Sequence, residues 1–441
     1  MLTAEDNNRL TGVSAGTPVG ELMRRYWHPV LLSTELPNPD CPPVRVRLLG
    51  EDFVAFRDTS GQLGIVESRC PHRKVELYFG RNEECGLRCI FHGWKFDVNG
   101  NCVDMPNTTE AAAERMKPRA AIKALEVVES NGAIWARFRA PEGEALSEGL
   151  SQFPFIGLPD SHVHVSKFLQ KTNWAHPLEG AIDTSHFTFL HGPVVAPERH
   201  ENESPQQARF RWIAEDGAPK MHLINHDAGM AIGAARSADG EGSYWRITQF
   251  LMPNMVLTPH AFPGETNFGG TWTPVDDENT WVFNYAYNLQ RPLTDQERDD
   301  YQSGRRGGIP ATDENFYPLA NPSNEFMLDR EFQASGEPFS FSGVKGVKEQ
   351  DSVVQYSQGT IHDRTNELLV QTDRAVVYFR RHILEAAQAL ADGEIPASLK
   401  CADVFRVGSG DSISDSDVTF EQVLEERFGS PSGLIAADAS S

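Results

Sequence analysis

Cysteine is scarce: six residues in a chain of 441, too few for a disulfide scaffold in a protein this long. Any cysteine that matters is therefore expected to act as a ligand or a nucleophile. Bases are also short, 40 Lys and Arg against 62 Asp and Glu, for a formal charge of −22. A surface so anionic repels phosphate backbones and acidic lipid heads, which argues against nucleic-acid and membrane partners. Long apolar runs are missing too. The longest uncharged stretch near the middle, Ile247 to Gly264, is broken by Pro253, Pro259 and Pro263, which suits extended chain and not a membrane helix. Glu5 and Asp6 stand where a secretory signal needs bases, so a cytoplasmic protein is expected. No G-x-G-x-x-G follows a strand and no further cysteine-rich motif is present, so nicotinamide or flavin binding is not expected.

What is there begins with turns and short strands. Residues 1–43 read as an N-terminal segment in which a turn at Gly16-Thr-Pro-Val-Gly20 precedes an apolar stretch stopped by Pro29, all serving packing. From Val44 the pattern changes. Val44 to Leu49 alternates, Asp52 to Arg57 leads into Asp58-Thr-Ser-Gly61, and Trp94 to Val98 leads into Asn99-Gly100, a strong hairpin signal. Residues 44–140 are expected to form a small antiparallel β domain, with a linker starting at Ala140-Pro141. Residues 152–407 mix candidate strands at Arg209–Ile213, Tyr244–Met252 and Thr280–Tyr287 with helices. The clearest helix is Asp373–Asp392, where Val376, Phe379, Ile383, Ala387 and Leu390 recur at helical spacing ahead of Gly393. Strands beside separate helices make the expected class α+β. Residues 408–441 read as an acidic, solvated, partly flexible tail.

Two constellations carry chemistry. Cys70-Pro-His72 and Cys89-Ile-Phe-His92 each place one sulfur and one imidazole at the tip of a short loop. Zinc sites usually draw paired cysteines from one knuckle, whereas a Rieske [2Fe-2S] cluster needs two thiolates on one iron and two imidazoles on the other, which mixed pairs supply. Cys41, Cys85, Cys102 and Cys401 have no such setting. Farther on, Asp183, His186 and His191 form D-x2-H-x4-H. On a helix Asp183 and His186 share a face, but five residues carry His191 about 140° round from His186. Both histidines can meet one ion only if the helix distorts or ends between them, and Gly192-Pro193 is a stop signal. Two imidazoles and a carboxylate with open positions are the facial triad of non-haem Fe(II) oxygenases. Local spacing leaves the carboxylate open among Glu349, Asp351, Asp363 and Asp373.

Cys70-Pro-His-Arg73 followed by Gly86-Leu-Arg-Cys-Ile-Phe-His-Gly-Trp-Lys-Phe-Asp97 resembles the N-terminal Rieske domain of the ring-hydroxylating oxygenases. Gly16 to Trp27, Met327 to Glu331, Phe341 to Asp351 and Ser357 to Thr365 are similar to the phthalate dioxygenase branch, which also holds chlorobenzoate dioxygenases and aryl-ether O-demethylases. The resemblance implies a Rieske domain and a helix-grip-like catalytic domain. It also implies one [2Fe-2S] cluster on Cys70, His72, Cys89 and His92, and one Fe(II) on His186, His191 and Asp351. Asp183 would bridge the cluster of one subunit and the iron of the next, in a trimer or two stacked trimers. Electrons would come from a separate flavin and iron-sulfur reductase. Dioxygen would be inserted into an aromatic acid, by cis-dihydroxylation or, alternatively, by O-demethylation. Arg209 and Arg246, on strand-like segments, are implied as carboxylate binders, with Arg211 and Arg236 as further candidates. Outside catalysis, an electron carrier or a zinc-binding module with an idle second site is the rival reading.

Overall fold

The computed structural model describes residues 2–141, 143–192, 196–240, 242–303, 309–430 and 432–434. Pro193 of the expected stop, and 431 and 435–441 of the tail, lie outside them. Two short helices lead the chain, α1 (Ala4–Thr11) and α2 (Pro18–Met23). Thr17 caps α2 by accepting a hydrogen bond from the Gly20 amide, and Pro18 stands where no amide is needed. Strand β1 (His28–Leu32) then enters a three-stranded sheet with β9 (Glu126–Ser130) and β10 (Ala133–Arg137). Part of the 1–43 segment is thereby built into the β domain it precedes.

Between β1 and β9 lie two more antiparallel sheets. One is β2 (Val44–Leu48), β3 (Glu51–Arg57) and β4 (Leu63–Glu67). The other is β5 (Arg81–Asn82), β6 (Leu87–Arg88), β7 (Lys95–Phe96) and β8 (Cys102–Asp104), followed by helix α3 (Glu110–Met116). The expected hairpin joins β7 to β8, with Gly100 at φ +78° supplying the turn. Buried Val54, Phe56, Leu77, Leu87, Trp94 and Phe96 make a separate small core around Cys70 and Cys89.

The larger half is one eight-stranded antiparallel sheet. Its order is β11 (Val163–Gln170), β17 (Thr280–Tyr287), β16 (Asn267–Pro274), β15 (Met255–Thr258), β14 (Gly242–Leu251), β13 (Gly229–Ser237) and β12 (Lys220–His226), with β18 (Gly410–Asp415) also on β14. Helices α4 (Ala175–Ile182), α5 (Pro205–Glu215), α6 (Asp295–Gln302), α7 (Arg330–Ala334), α8 (Val347–Ser357), α9 (Arg374–Ala391), α10 (Ala397–Lys400) and α11 (Phe420–Phe428) surround it. The apolar face of α9 packs on the sheet, Phe379 meeting Phe250 edge-on at 5.1 Å and Trp174 at 5.8 Å. The class is α+β, a β domain followed by a sheet-and-helix domain.

Two expectations fail. Arg209–Ile213 is not a strand but part of α5. Pro205 at its first turn and the Gln207 side chain, which accepts from the Ser204 amide at 2.9 Å, start a helix that overrides the aromatic and β-branched composition. The tail is not loose at 410–415 and 420–428. Gly410–Asp415 completes the sheet, and Phe420, Val423 and Leu424 of α11 are buried against Trp245 and Ile247. Apolar spacing in 418–428 outweighs the acidity, because the acids face outward, with Asp411 the fully buried exception.

Candidate active site

The Cys70 and Cys89 loops are built alike. The Cys70 amide donates to the Val75 carbonyl at 2.9 Å, and the Cys89 amide donates to the Trp94 carbonyl at 2.8 Å. Gly93, at φ +77°, lets the second loop close. Both cysteines are buried. Burial and the neighbouring Cys89 thiol push the Cys70 thiol up to about 11, against the His72 and Arg73 amides that point at its sulfur. Outside them, the His72 and His92 rings lie 4.5 Å apart, His72 stacking on Trp94 at 4.6 Å. Two inner sulfurs and two outer imidazoles form a donor set fit for a [2Fe-2S] cluster. Ile90 and Phe91 are exposed beside it, 59% and 48% respectively.

Helix α4 leads to the second centre. Its Glu179 is clamped by Arg364 and Arg380, each giving two hydrogen bonds of 2.8 to 3.2 Å. The helix ends at Asp183, which turns extended and accepts from the Ser185 amide at 2.7 Å. His186 then opens a tight turn, His186–Thr188, and His191 follows it. The helix therefore ends before His186 and not between the two histidines, and Asp183 and His186 stay neighbours without sharing a helical face. A Cβ on Gly192 would lie 2.1 Å from the Thr188 carbonyl, so only glycine fits after His191.

His186, His191 and Asp351 each offer one donor atom, and these lie within 4.8 Å of one another. Asp351 Oδ1 is 3.0 Å from His191 Nε2 and 3.8 Å from His186 Nε2. The opposite ring nitrogens are fixed: His186 Nδ1 lies 3.2 Å from Asp183 Oδ2, and His191 Nδ1 donates to Gln350 Oε1 at 2.7 Å. Gln350 is itself held, its amide donating to the carbonyls of Phe339 and Val344. Each imidazole thus presents Nε2 to the shared point, as a metal requires. Burial works to raise the Asp351 carboxyl, but His191, Lys348 and His186 hold it well below the usual carboxylate range. Burial likewise works to lower His186, and the Asp183 carboxylate overcomes it and raises the ring. Glu349, Asp363 and Asp373 do not join this group.

A basic cluster adjoins it. Arg246 is 1% exposed, its guanidinium 4.3 Å over the Phe187 ring, which lies 4.9 Å from the His186 ring and 4.7 Å from the His191 ring. Arg246 Nη2 donates to His260 Nε2 at 3.0 Å, while its Nε and Nη1 are buried without a partner. Burial, with Arg246 and Arg209 alongside, holds His260 neutral, so its nitrogen can accept. Arg209 comes from α5 to the same place, donating to the His260 carbonyl at 3.0 Å. Arg211 does not arrive: it pairs with Glu203 and Asp239. Arg236 instead braces the loop after α4, donating to the Thr184 and Asp216 carbonyls. Sequence reasoning missed Gln350, Phe187 and His260. Only Gln350, next to Asp351, had a local signal.

Comparison with known proteins separates an oxygenase from a bare carrier or zinc module. Residues 26–126 match the family described as Rieske [2Fe-2S] domain, and residues 145–407 match LigXa C-terminal domain like. The 3-chlorobenzoate-3,4-dioxygenase oxygenase subunit of Comamonas testosteroni is 36% identical across 97% of this chain and 99% of its own. The phthalate 4,5-dioxygenase oxygenase subunit of Pseudomonas putida is 38% identical across 89% and 88%. The chain belongs to the Rieske ring-hydroxylating oxygenases. A solved structure of NdmA from Pseudomonas putida CBB5 with caffeine shares the oxygenase's fold, with a TM-score of 0.57 at 18% identity over 91% of this chain and 99% of that one. As an oxygenase it is an oxidoreductase that incorporates O2. None of its described helices is long and apolar enough to cross a membrane.

Proposed function

We propose that this oxygenase cis-dihydroxylates the ring of an aromatic carboxylate. The observation that carries the reading is Arg246, wholly buried with two donors unpaired, and separated by one phenyl ring from the His186, His191 and Asp351 cluster. An arginine in that state suits a carboxylate, and a carboxylate seated there puts an attached ring where Phe187 marks the way to the histidines. Cys70, His72, Cys89 and His92 would hold the [2Fe-2S] cluster, and His186, His191 and Asp351 the iron. When bound, the cluster supplies electrons singly and the iron supplies a site for dioxygen. The chain's own residues do the positioning: Asp183 fixes His186, Gln350 fixes His191, and Arg246 orients the acid.

The electron-relay unit would be residues 44–140 completed by β1, and the catalytic unit 152–407 extended by β18 and α11. Asp183, with 26% of its side chain exposed, keeps a carboxylate edge at the surface. Exposed Ile90 and Phe91 beside His72 suit docking of one subunit's cluster tip against the next subunit's Asp183, in a trimer or stacked trimers. A separate reductase would feed the cluster, in the cytoplasm. The test is anaerobic reduction of the loaded protein with a panel of aromatic acids, then air and mass analysis. A product gaining two oxygens and two hydrogens is expected, whereas formaldehyde from a methoxylated acid as the sole turnover would replace dihydroxylation with O-demethylation.

A further inference from the structure

Strand β18 places an acid among the arginines. Asp411 lies directly opposite Arg246 in the ladder with β14, and none of it is exposed. Its Oδ1 accepts from the Tyr244 hydroxyl at 3.1 Å, and its Oδ2 accepts from Arg209 Nη1 at 3.3 Å. Arg209 is engaged further. Glu265 takes Nη1 at 2.9 Å and Nη2 at 3.4 Å, so both terminal nitrogens of Arg209 face carboxylates of the protein itself. Arg427, the neighbouring cation, is occupied by the Ala261 and Asp411 carbonyls. Arg246 alone of these three keeps two nitrogens unmatched, because Asp411 is near it but makes no hydrogen bond to it.

We infer that Asp411 is a specificity-determining residue that restricts this pocket to aromatic substrates bearing one carboxylate. This rests on the aromatic-carboxylate reading above. A monocarboxylate needs only the open donors of Arg246. A second carboxylate on the same ring would have to draw Arg209 away from Glu265 and Asp411, and would then sit beside a wholly buried Asp411 whose remaining side-chain hydrogen bond comes from Tyr244, with Arg246 left as the shared counter-charge. Like charges so close in a dry site repel strongly, and buried carboxylates that must share one cation are costly. Asp411 already occupies the place of that second carboxylate.

Equilibrium dialysis of benzoate and phthalate with the holoenzyme under anaerobic conditions tests the inference by binding alone, independent of turnover. The wild-type protein is expected to hold benzoate at least tenfold more tightly than phthalate. Asp411→Asn should shrink that ratio tenfold or more by releasing Arg209. Should Asp411→Asn fail to fold, Glu265→Gln, at a partly exposed position, should move the ratio in the same direction. Tighter phthalate binding by the wild type, or a ratio unmoved in the folded variant, overturns the inference and leaves the aromatic-carboxylate reading standing. Failure to bind either acid overturns both.

Discussion

His191 is gripped at both nitrogens, by Gln350 on one side and by the Asp351 cluster on the other, so its orientation is set before any metal arrives. Gln350→Leu removes the acceptor from Nδ1 and frees the ring tautomer. Mononuclear-iron affinity should fall on the order of 10- to 100-fold, read by metal titration, while the visible absorbance of the cluster stays unchanged. Asp351→Ala should abolish iron binding and turnover with the same spectrum preserved. Normal turnover in that variant would remove Asp351 from the ligand set. Arg246→Met leaves a similar volume without the charge-assisted donors, and KM for an aromatic acid should rise about 10- to 100-fold. An unchanged KM would show that the acid binds elsewhere. Residues close in sequence were legible at this scale. The Cys-His pairs and His186 with His191 advertise themselves by spacing. Asp351 lies 160 residues from His191, and no local rule reaches that far, so only resemblance selected it. His260 and Asp411 had no signal of any kind, because the sheet, not the sequence, makes them neighbours of Arg246.

Among the elements, strands 280–287 and 242–251 were readable because their aromatic and β-branched composition suits largely buried strands, and helix 374–391 because its apolar spacing agrees with its burial. Helix α5 was misread where composition and start signals disagree, and the start signals won. Strand β18 was hidden by acidity: a polar strand with one face buried looks like tail. Its partner α11 is held by Phe420, stacked on Trp245 at 5.4 Å. Phe420→Ala should cost about 3–5 kcal/mol of local stability, seen as a lower urea midpoint for tryptophan fluorescence. A midpoint unchanged within error would mean α11 is not docked in solution. Deleting residues after Val407 should do more, since the edge of β14 from Gly242 to Ile247 loses its partner and becomes an aggregation site.

Over the whole molecule, one ion cluster ties distant parts together. Glu179 on α4, Arg380 on α9, and Glu367 and Arg364 between α8 and α9 interlock, and Arg364 also bonds Asn7 on α1. Burial works to raise the Glu367 carboxyl, but hydrogen bonds from Arg380 and His362 bring it from an ordinary 4.5 down to about 2. A carboxyl lowered on folding stabilises fully above its unfolded value and loses that contribution as pH falls toward the folded one. Roughly 2–3 kcal/mol is therefore expected to drain away between about pH 4.5 and pH 2. Glu367→Gln should lower the urea midpoint at pH 7 and flatten its fall between pH 5 and pH 3; equal slopes in both proteins would contradict this.

The arrangement of β18 also sets an order of events during synthesis. Asp411 is polymerised 167 residues after Tyr244, an interval of roughly 10–30 s at ordinary translation speeds. Throughout that time the Tyr244 edge of β14 has no neighbour and the arginines have no counter-charge from the last strand. The surroundings of Arg246 and Arg209 are therefore finished only once residue 415 has been made, and any chain released before that point carries them without their last strand.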